Sequence, residues 1–340
     1  MNGIENIDFE KFSVRQRRQI EEGLERGVDV SVYAYPHYDE WQMREIRIGL
    51  EEKNLYLHVF AKPEFDAEQM MKLRKYGLHH GDPSAFANPE FSDKQMSQLA
   101  LGLSRGLDIT KYANKQYHYH KMEQIRRGLE KGVDITKYVT PEYTRFQMRE
   151  IRHGMQSGID VSVYADIQYT YEQMREIRFG MIEGFDVTLI LNPAYPYLSM
   201  RAIRESWEDC NLKQRDELLL GLKAGLDISV YAKPEQYTYS QMREIRFGLS
   251  AGIDTSVYQK GYNASQMQQL RMGLVKKVNV SIYASPKFSA SQMREIRLGL
   301  ELGLPASEYA DPELSRLRMF EKRVMLMKVY CRIRCDKKKK

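Results

Sequence analysis

Apolar residues recur along this chain three and four positions apart, in short stretches that return every 25 to 27 residues. In the stretch from Tyr38 to Tyr56, Met43, Ile46 and Leu50 fall at i, i+3 and i+7, a single apolar stripe along a helix. The string Gln-Met-Arg-Glu-Ile-Arg that carries the stripe begins at Gln42, Gln147, Gln173, Gln241 and Gln292. Looser copies begin at Gln16, Gln69, Gln95, Lys121, Ser199, Gln214 and Gln266, which makes twelve units. One step, from Ser199 to Gln214, is only 15 residues. A unit of about 26 residues is shorter than the ~34 of a tetratricopeptide repeat or the ~33 of an ankyrin repeat. It therefore holds one ordinary helix and one very short one.

The polar positions mark where each helix starts. Three residues before the glutamine stands Asp39, and at the same offset Asp66, Ser92, Thr144, Thr170, Thr238, Asn263 and Ser289. This spacing predicts a capping box, with the glutamine reaching back to the cap. An aromatic precedes the cap in nearly every unit, Tyr38, Phe65 and Tyr143 among them, and predicts a hydrophobic staple onto the methionine. Gly49, Gly128, Gly154, Gly180, Gly248, Gly273 and Gly299 sit inside the helix, where glycine costs about 1 kcal/mol. Their return predicts close helix-helix approach. A second glycine, such as Gly106 or Gly225, suits a left-handed helix end, and Asn54 is expected to take that place in one unit. A turn reading Asp-Val-Ser-Val-Tyr-Ala or nearly so follows. Its aspartate (Asp108, Asp134) caps a short helical turn, its tyrosine (Tyr112, Tyr138, Tyr164) fills a second core layer, and a proline such as Pro36 or Pro141 ends it.

Such units cannot bury their stripes alone and must stack. The predicted fold is all-α, an α-solenoid of about twelve helix-turn-short-helix repeats with a C-terminal capping helix. Residues 1–198 and 212–311 are read as two repeat stacks, 199–211 as an irregular joint, and 312–340 as a basic capping helix with a polar outer face and a tail. The joint lacks both glycines and the short turn, and Trp207 is its one distinctive residue.

Once the structural positions are set aside, the two arginines, the glutamate and the residue after the second arginine remain. The second arginine (Arg47, Arg126, Arg152, Arg246, Arg297) lies at the edge of the stripe and is expected to meet a neighbouring unit's glutamate or cap aspartate. The residue after it points nearly opposite the core. Down the chain that row includes Ile48, Leu101, Arg127, His153, Phe179, Leu220, Phe247, Met272 and Leu298, with the first arginines Arg44, Arg149, Arg175, Arg243 and Arg294 beside it. Apolar residues flanked by arginine have the composition of protein-binding hot spots, so this row is the candidate partner face.

The net charge of +6 changes the picture once it is located. Residues 312–340 hold eleven Lys/Arg against three acidic residues, a net +8, which leaves −2 of the total +6 for the rest. That distribution speaks against a whole-length phosphate track. It keeps a second possibility, RNA or DNA binding through the arginines together with Arg316, Arg318, Lys322, Arg323, Lys328, Arg332 and Arg334. No run of ~18 apolar residues suggests a membrane span, and the first residues lack a signal peptide's apolar stretch. Three cysteines, Cys210, Cys331 and Cys335, give no disulfide framework, so a cytoplasmic protein is expected. His79-His80 and the His118/His120 pair lack ligand partners at metal-binding spacing, and there is no phosphate loop or nucleophile motif. No cofactor, metal, small-molecule substrate or catalytic residue is expected.

The unit as it stands from Gln147 to Ala165 resembles a family of tandem-repeat proteins of Firmicutes and their mobile genetic elements, and the likeness covers almost the whole chain. The resemblance implies no catalytic activity. An origin on mobile elements points to a non-enzymatic scaffold that binds a protein or nucleoprotein, for instance an anti-CRISPR-like inhibitor of a host defence complex.

Overall fold

The computed structural model describes residues 7–140, 142–258 and 261–337, with side chains to Tyr330. Pro141, the side chains of Cys331, Arg332, Arg334, Cys335 and Lys337, and the tail residues 338–340 lie outside what is described, as do residues 1–6. The described residues form helices and turns with no strand, and divide into two compact units, 1–167 and 168–340. The joint at 199–211 lies inside the second.

The first unit holds six long helices: α1 (Val14–Glu25), α2 (Glu40–Glu51), α3 (Ala67–His79), α4 (Asp93–Leu103), α5 (Tyr119–Glu130) and α6 (Arg145–Gln156). The second holds α7 (Tyr171–Glu183), α8 (Tyr197–Ser206), α9 (Leu212–Lys223), α10 (Tyr239–Ser250), α11 (Ala264–Val275), α12 (Ala290–Glu301) and α13 (Arg316–Lys337). Within each unit nearly every long helix packs on the next, and a short 3-10 turn such as Ile109–Lys111 or Val280–Ile282 forms the second layer. Each unit is a stack of α-solenoid repeats, about twelve in all among the described residues, and the second unit ends in a longer helix.

The capping boxes form as predicted, from Asp39/Gln42 on α2 to Ser289/Gln292 on α12, and Ser13/Gln16 forms a further one on α1. The glutamine also has a second partner that its spacing does not reveal. While its Oε1 accepts from the cap, its Nε2 donates into the next repeat: Gln42 reaches the carbonyls of Pro63 (3.2 Å) and Phe65 (2.7 Å). Gln292 does the same to Pro312 and Leu314, each at 2.8 Å. One amide therefore fixes a helix start and clamps two repeats.

The mid-helix glycines have a different cause from the one expected. A Cβ on Gly299 would lie 1.9 Å from the hydroxyl of Tyr309, and one on Gly128 would lie 1.8 Å from that of Tyr138. The intruder is the repeat's own second-layer tyrosine, not a neighbouring helix. Its hydroxyl donates to the helix carbonyl fourteen residues back, Tyr309 to Glu295 at 3.2 Å and Tyr112 to Gln98 at 3.1 Å. Burial pushes the Tyr112 and Tyr309 hydroxyls up to about 12. Gly49 and Gly180 instead face Phe60 and Val187.

The left-handed helix end is glycine at most repeats, with φ 72° at Gly106 and 69° at Gly225. Asn54 does not take that role. Lys53 does, with φ 52°, and Lys277 follows it with φ 56°. Asn54 is instead buried, donating to the Arg74 carbonyl at 2.8 Å and accepting from Tyr56 N–H at 3.0 Å.

At the joint the row of helix contacts changes partner. α8 packs against the short turn Ile228–Val230 that follows α9. Ser199, at the clamp-glutamine position, donates to the Leu226 carbonyl and accepts from Ile228 N–H, both at 3.1 Å. A glutamine there would have no following proline-aromatic segment to clamp, because α9 starts at once.

The terminal helix departs from the predicted polar outer face. Met319 of α13 is fully buried, but Leu317, Phe320, Met325, Val329 and Tyr330 are exposed among the lysines and arginines. α13 packs on α12, with Met319 buried and Arg323, one turn on, paired to Glu295.

Candidate functional site

The second arginines form an inter-repeat ladder. Each is drawn from water on a helix flank, and a buried guanidinium needs a carboxylate and filled hydrogen bonds. Arg74 reaches Glu45 and Glu52 on the preceding repeat, at 2.9 and 2.6 Å. Arg246 meets Glu217 at 2.8 Å, Arg271 meets Glu244 at 2.9 Å, and Arg323 meets Glu295 at 2.9 Å. Arg204 meets Glu176 at 2.9 Å and Glu183 at 2.7 Å. Burial works against the Arg204 charge, but the hydrogen bonds it donates to Glu183 and Glu176 more than offset it and hold its pKa above the ordinary value.

Some repeats carry glutamine where the glutamate would stand. Arg47 then binds Gln19 (3.3 Å), Arg126 binds Gln98 (3.0 Å) and Arg297 binds Gln269 (3.1 Å). In each case a carboxylate comes from the arginine's own helix four residues on, from Glu51, Glu130 or Glu301, and Arg47 also meets Glu22 on the preceding helix at 2.9 Å. The carboxylate is supplied from either of two directions, and at Arg47 from both. This exchange was not legible in the repeat string, which shows the glutamate only in its full copies.

Arg152 has neither supply. Its Nη2 lies 3.3 Å from the Gln124 amide oxygen, its Nη1 lies 3.2 Å from that of Gln156, and its Nε has no partner. Among the described residues no carboxylate lies within ion-pair distance, although the side chain belongs to a residue only 4% exposed. Burial pulls its pKa below the ordinary arginine value, and Arg127 and Arg149 add to that pull.

The candidate partner row falls on the open side of the long helices. In the second unit Leu220, Phe247 and Met272 are 48%, 39% and 37% exposed on successive helices α9 to α11, and Leu298 of α12 is half-buried. The Phe247 ring lies between two ladder arginines, with Arg246 4.6 Å and Arg271 5.3 Å from its centroid. Phe179, half-buried, lies between Arg178 (4.4 Å) and Arg204 (5.5 Å). Arg243 and Arg294 are exposed nearby on their helices, and Arg175 is half-buried, 3.8 Å from Glu176. In the first unit the row is mixed. Ile48 and His153 are half-buried, while Leu101 and Arg127 are exposed, with Arg44 exposed and Arg149 paired to Glu150 at 3.1 Å.

Reading by position missed the ladder arginines as the walls of the row. It also passed over Trp41 and Phe146, both exposed one residue before the glutamine, where Arg145 lies 4.5 Å from the Phe146 ring. An aromatic at that otherwise polar position was the available signal.

The basic residues of α13 do not form one uniform track. Arg323 and Arg316 are turned back to Glu295, at 2.9 and 3.5 Å, and Arg318 pairs with Glu321 at 3.3 Å. Lys322 and Lys328 are exposed. His120 does have a carboxylate at hand, Glu123 at 3.5 Å, contrary to the expectation from spacing. Among the described residues no group of three or more His, Cys, Asp or Glu could hold a metal ion. No helix of the described residues is long and apolar enough to cross a membrane.

The geometry defines a helical repeat array with an aromatic-guanidinium ridge. No protein-family model, curated protein or solved structure matches this chain.

Proposed function

We propose that this protein is a non-enzymatic repeat scaffold that docks a protein, or the protein part of a nucleoprotein, on the ridge formed by α9 to α12. The observation that carries this reading is Phe247, an aromatic ring exposed between Arg246 and Arg271 with apolar Leu220 and Met272 on the helices either side. Aromatic and arginine side chains dominate interface energetics because a rigid ring and a planar guanidinium bury large area at small entropic cost. The arginines are held by Glu217 and Glu244, so the ridge is pre-shaped before any partner arrives. A host defence complex is the partner class we favour, on the repeat's resemblance to mobile-element proteins.

The test is capture of partner by the full chain, with and without nuclease, compared with Phe247→Asp and Arg243→Glu. A discrete protein band that survives nuclease should be lost from both variants, with affinity falling at least ~30-fold, while far-ultraviolet circular dichroism is unchanged. Unchanged capture by the variants overturns the reading. Loss of all captured material on nuclease treatment transfers it to nucleic acid.

A further inference from the structure

Among the described residues the Arg152 rung of the ladder has no carboxylate at ion-pair distance, and it points to a second recognition element. Arg152 of α6 stands where Arg47, Arg126 and Arg297 stand in their repeats, with a glutamine on the preceding helix. Those three take a carboxylate from the fourth residue onward, and at α6 that residue is Gln156. Where the sister sites set a carboxylate against Nη1, this one holds an amide. The Nε–H, in a residue 4% exposed, has no acceptor.

Two side chains beside the guanidinium reach the surface: His153, whose Nε2 lies 3.1 Å from Nη2, is half-buried, and Gln156 is exposed. A rotamer change of Gln156 would open the Nη1 edge that it holds at 3.2 Å. Around the opening the charge is positive. Arg127 and Arg149 flank it, each with one carboxylate, Glu123 at 2.7 Å and Glu150 at 3.1 Å, whereas Arg152 adds a charge that no carboxylate of its own repeat pair meets at ion-pair distance.

We propose that Arg152 is a receptor for a carboxylate from outside the chain, an acidic side chain of the docked protein, which completes the ladder as Glu301 does in α12. A buried guanidinium gains most from a charged, forked acceptor, and the planar carboxylate is the group its sister sites already accept. This inference rests on the protein-docking reading for the source of the carboxylate. The site itself can be tested without the partner.

The experiment uses the full chain and Gln156→Glu, which installs the carboxylate the sister repeats have. The probes are acetate and a hexaglutamate peptide, against chloride at matched ionic strength, with inorganic phosphate as a third arm. In the parent protein acetate and the peptide should raise Tm and shift the Arg152 Nε–H resonance. The variant should melt about 2–4 °C higher and lose both responses. Equal responses in the two proteins, or none in the parent, overturn the site, and a response to phosphate alone overturns the carboxylate assignment. Partner capture reads the source: Gln156→Glu should weaken it at least tenfold. Full capture by this variant overturns the assignment to a docked protein even where acetate binds. Phe247→Asp retaining capture sinks only the docking ridge and leaves the acetate result standing.

Discussion

Helices α6 and α12 share the string Gln-Met-Arg-Glu-Ile-Arg, the same kind of cap and the same glycine, yet they are electrostatically opposite. In α12, Arg297 lies between Gln269 at 3.1 Å and the carboxylate of Glu301. In α6, Arg152 lies between two glutamine amides and has an orphaned Nε. The carboxylate is lost at one side chain four residues beyond the arginine, outside the string that defines the repeat, and His153 and Arg127 stand where α12 and its neighbour have Leu298 and Met272. A motif can thus fix the packing of a unit while leaving its charge balance to positions that vary. Buried charge is the costly part, so those variable positions are where repeats of one fold become individual.

The comparison can be broken or sharpened by substitution. The largest effect should be blind to the difference: Gly154→Ala and Gly299→Ala each drive a methyl to within 1.9 Å of the hydroxyl of Tyr164 or Tyr309. Overpacking and disturbance of the tyrosine hydrogen bond should destabilise each local repeat by about 3 kcal/mol, despite alanine's better helix propensity. Hydrogen exchange of α6 and α12 would measure it. A loss in only one helix would show that the shared core is not shared.

Next comes the substitution that converts one repeat into the other. Glu301→Gln gives Arg297 the glutamine that Arg152 has four residues on and should cost about 2 kcal/mol. That lies below the ~3–5 kcal/mol of a fully buried pair, because Glu301 is partly open to water. The measurement is denaturant unfolding with a probe on α12, since arrays of this length need not unfold in one step. No loss of stability would mean that glutamine suffices, and the missing carboxylate at α6 would carry no meaning. The smallest effect concerns the caps. Thr144→Ala and Ser289→Ala should each cost about 1 kcal/mol, equally in the two helices. An unequal cost would place part of the α6–α12 difference at the helix start, away from the arginine.

Much of the array is written in residue order alone. Its helix starts, left-handed ends and two-layer units follow from interactions within four residues of each other, such as Asp39 with Gln42. Interactions at that range depend only on local backbone geometry, so residue order is enough to determine them. The expectation of a ladder of arginines was legible too, from glutamate and arginine returning in every full copy.

The tertiary structure decided what spans fourteen to twenty-nine residues. It turned the mid-helix glycine into a slot for the repeat's own tyrosine, and gave Gln42 its second hold on Pro63 and Phe65. It sent Ser199 to the turn after α9, and left Phe320 and Met325 of α13 open to water. It also chose which carboxylate answers each arginine, and among the described residues left Arg152 with none in reach. A pattern records which side chains return at a fixed interval, but a contact between repeats depends on how far neighbouring helices are offset. That offset is set by all the packed side chains together.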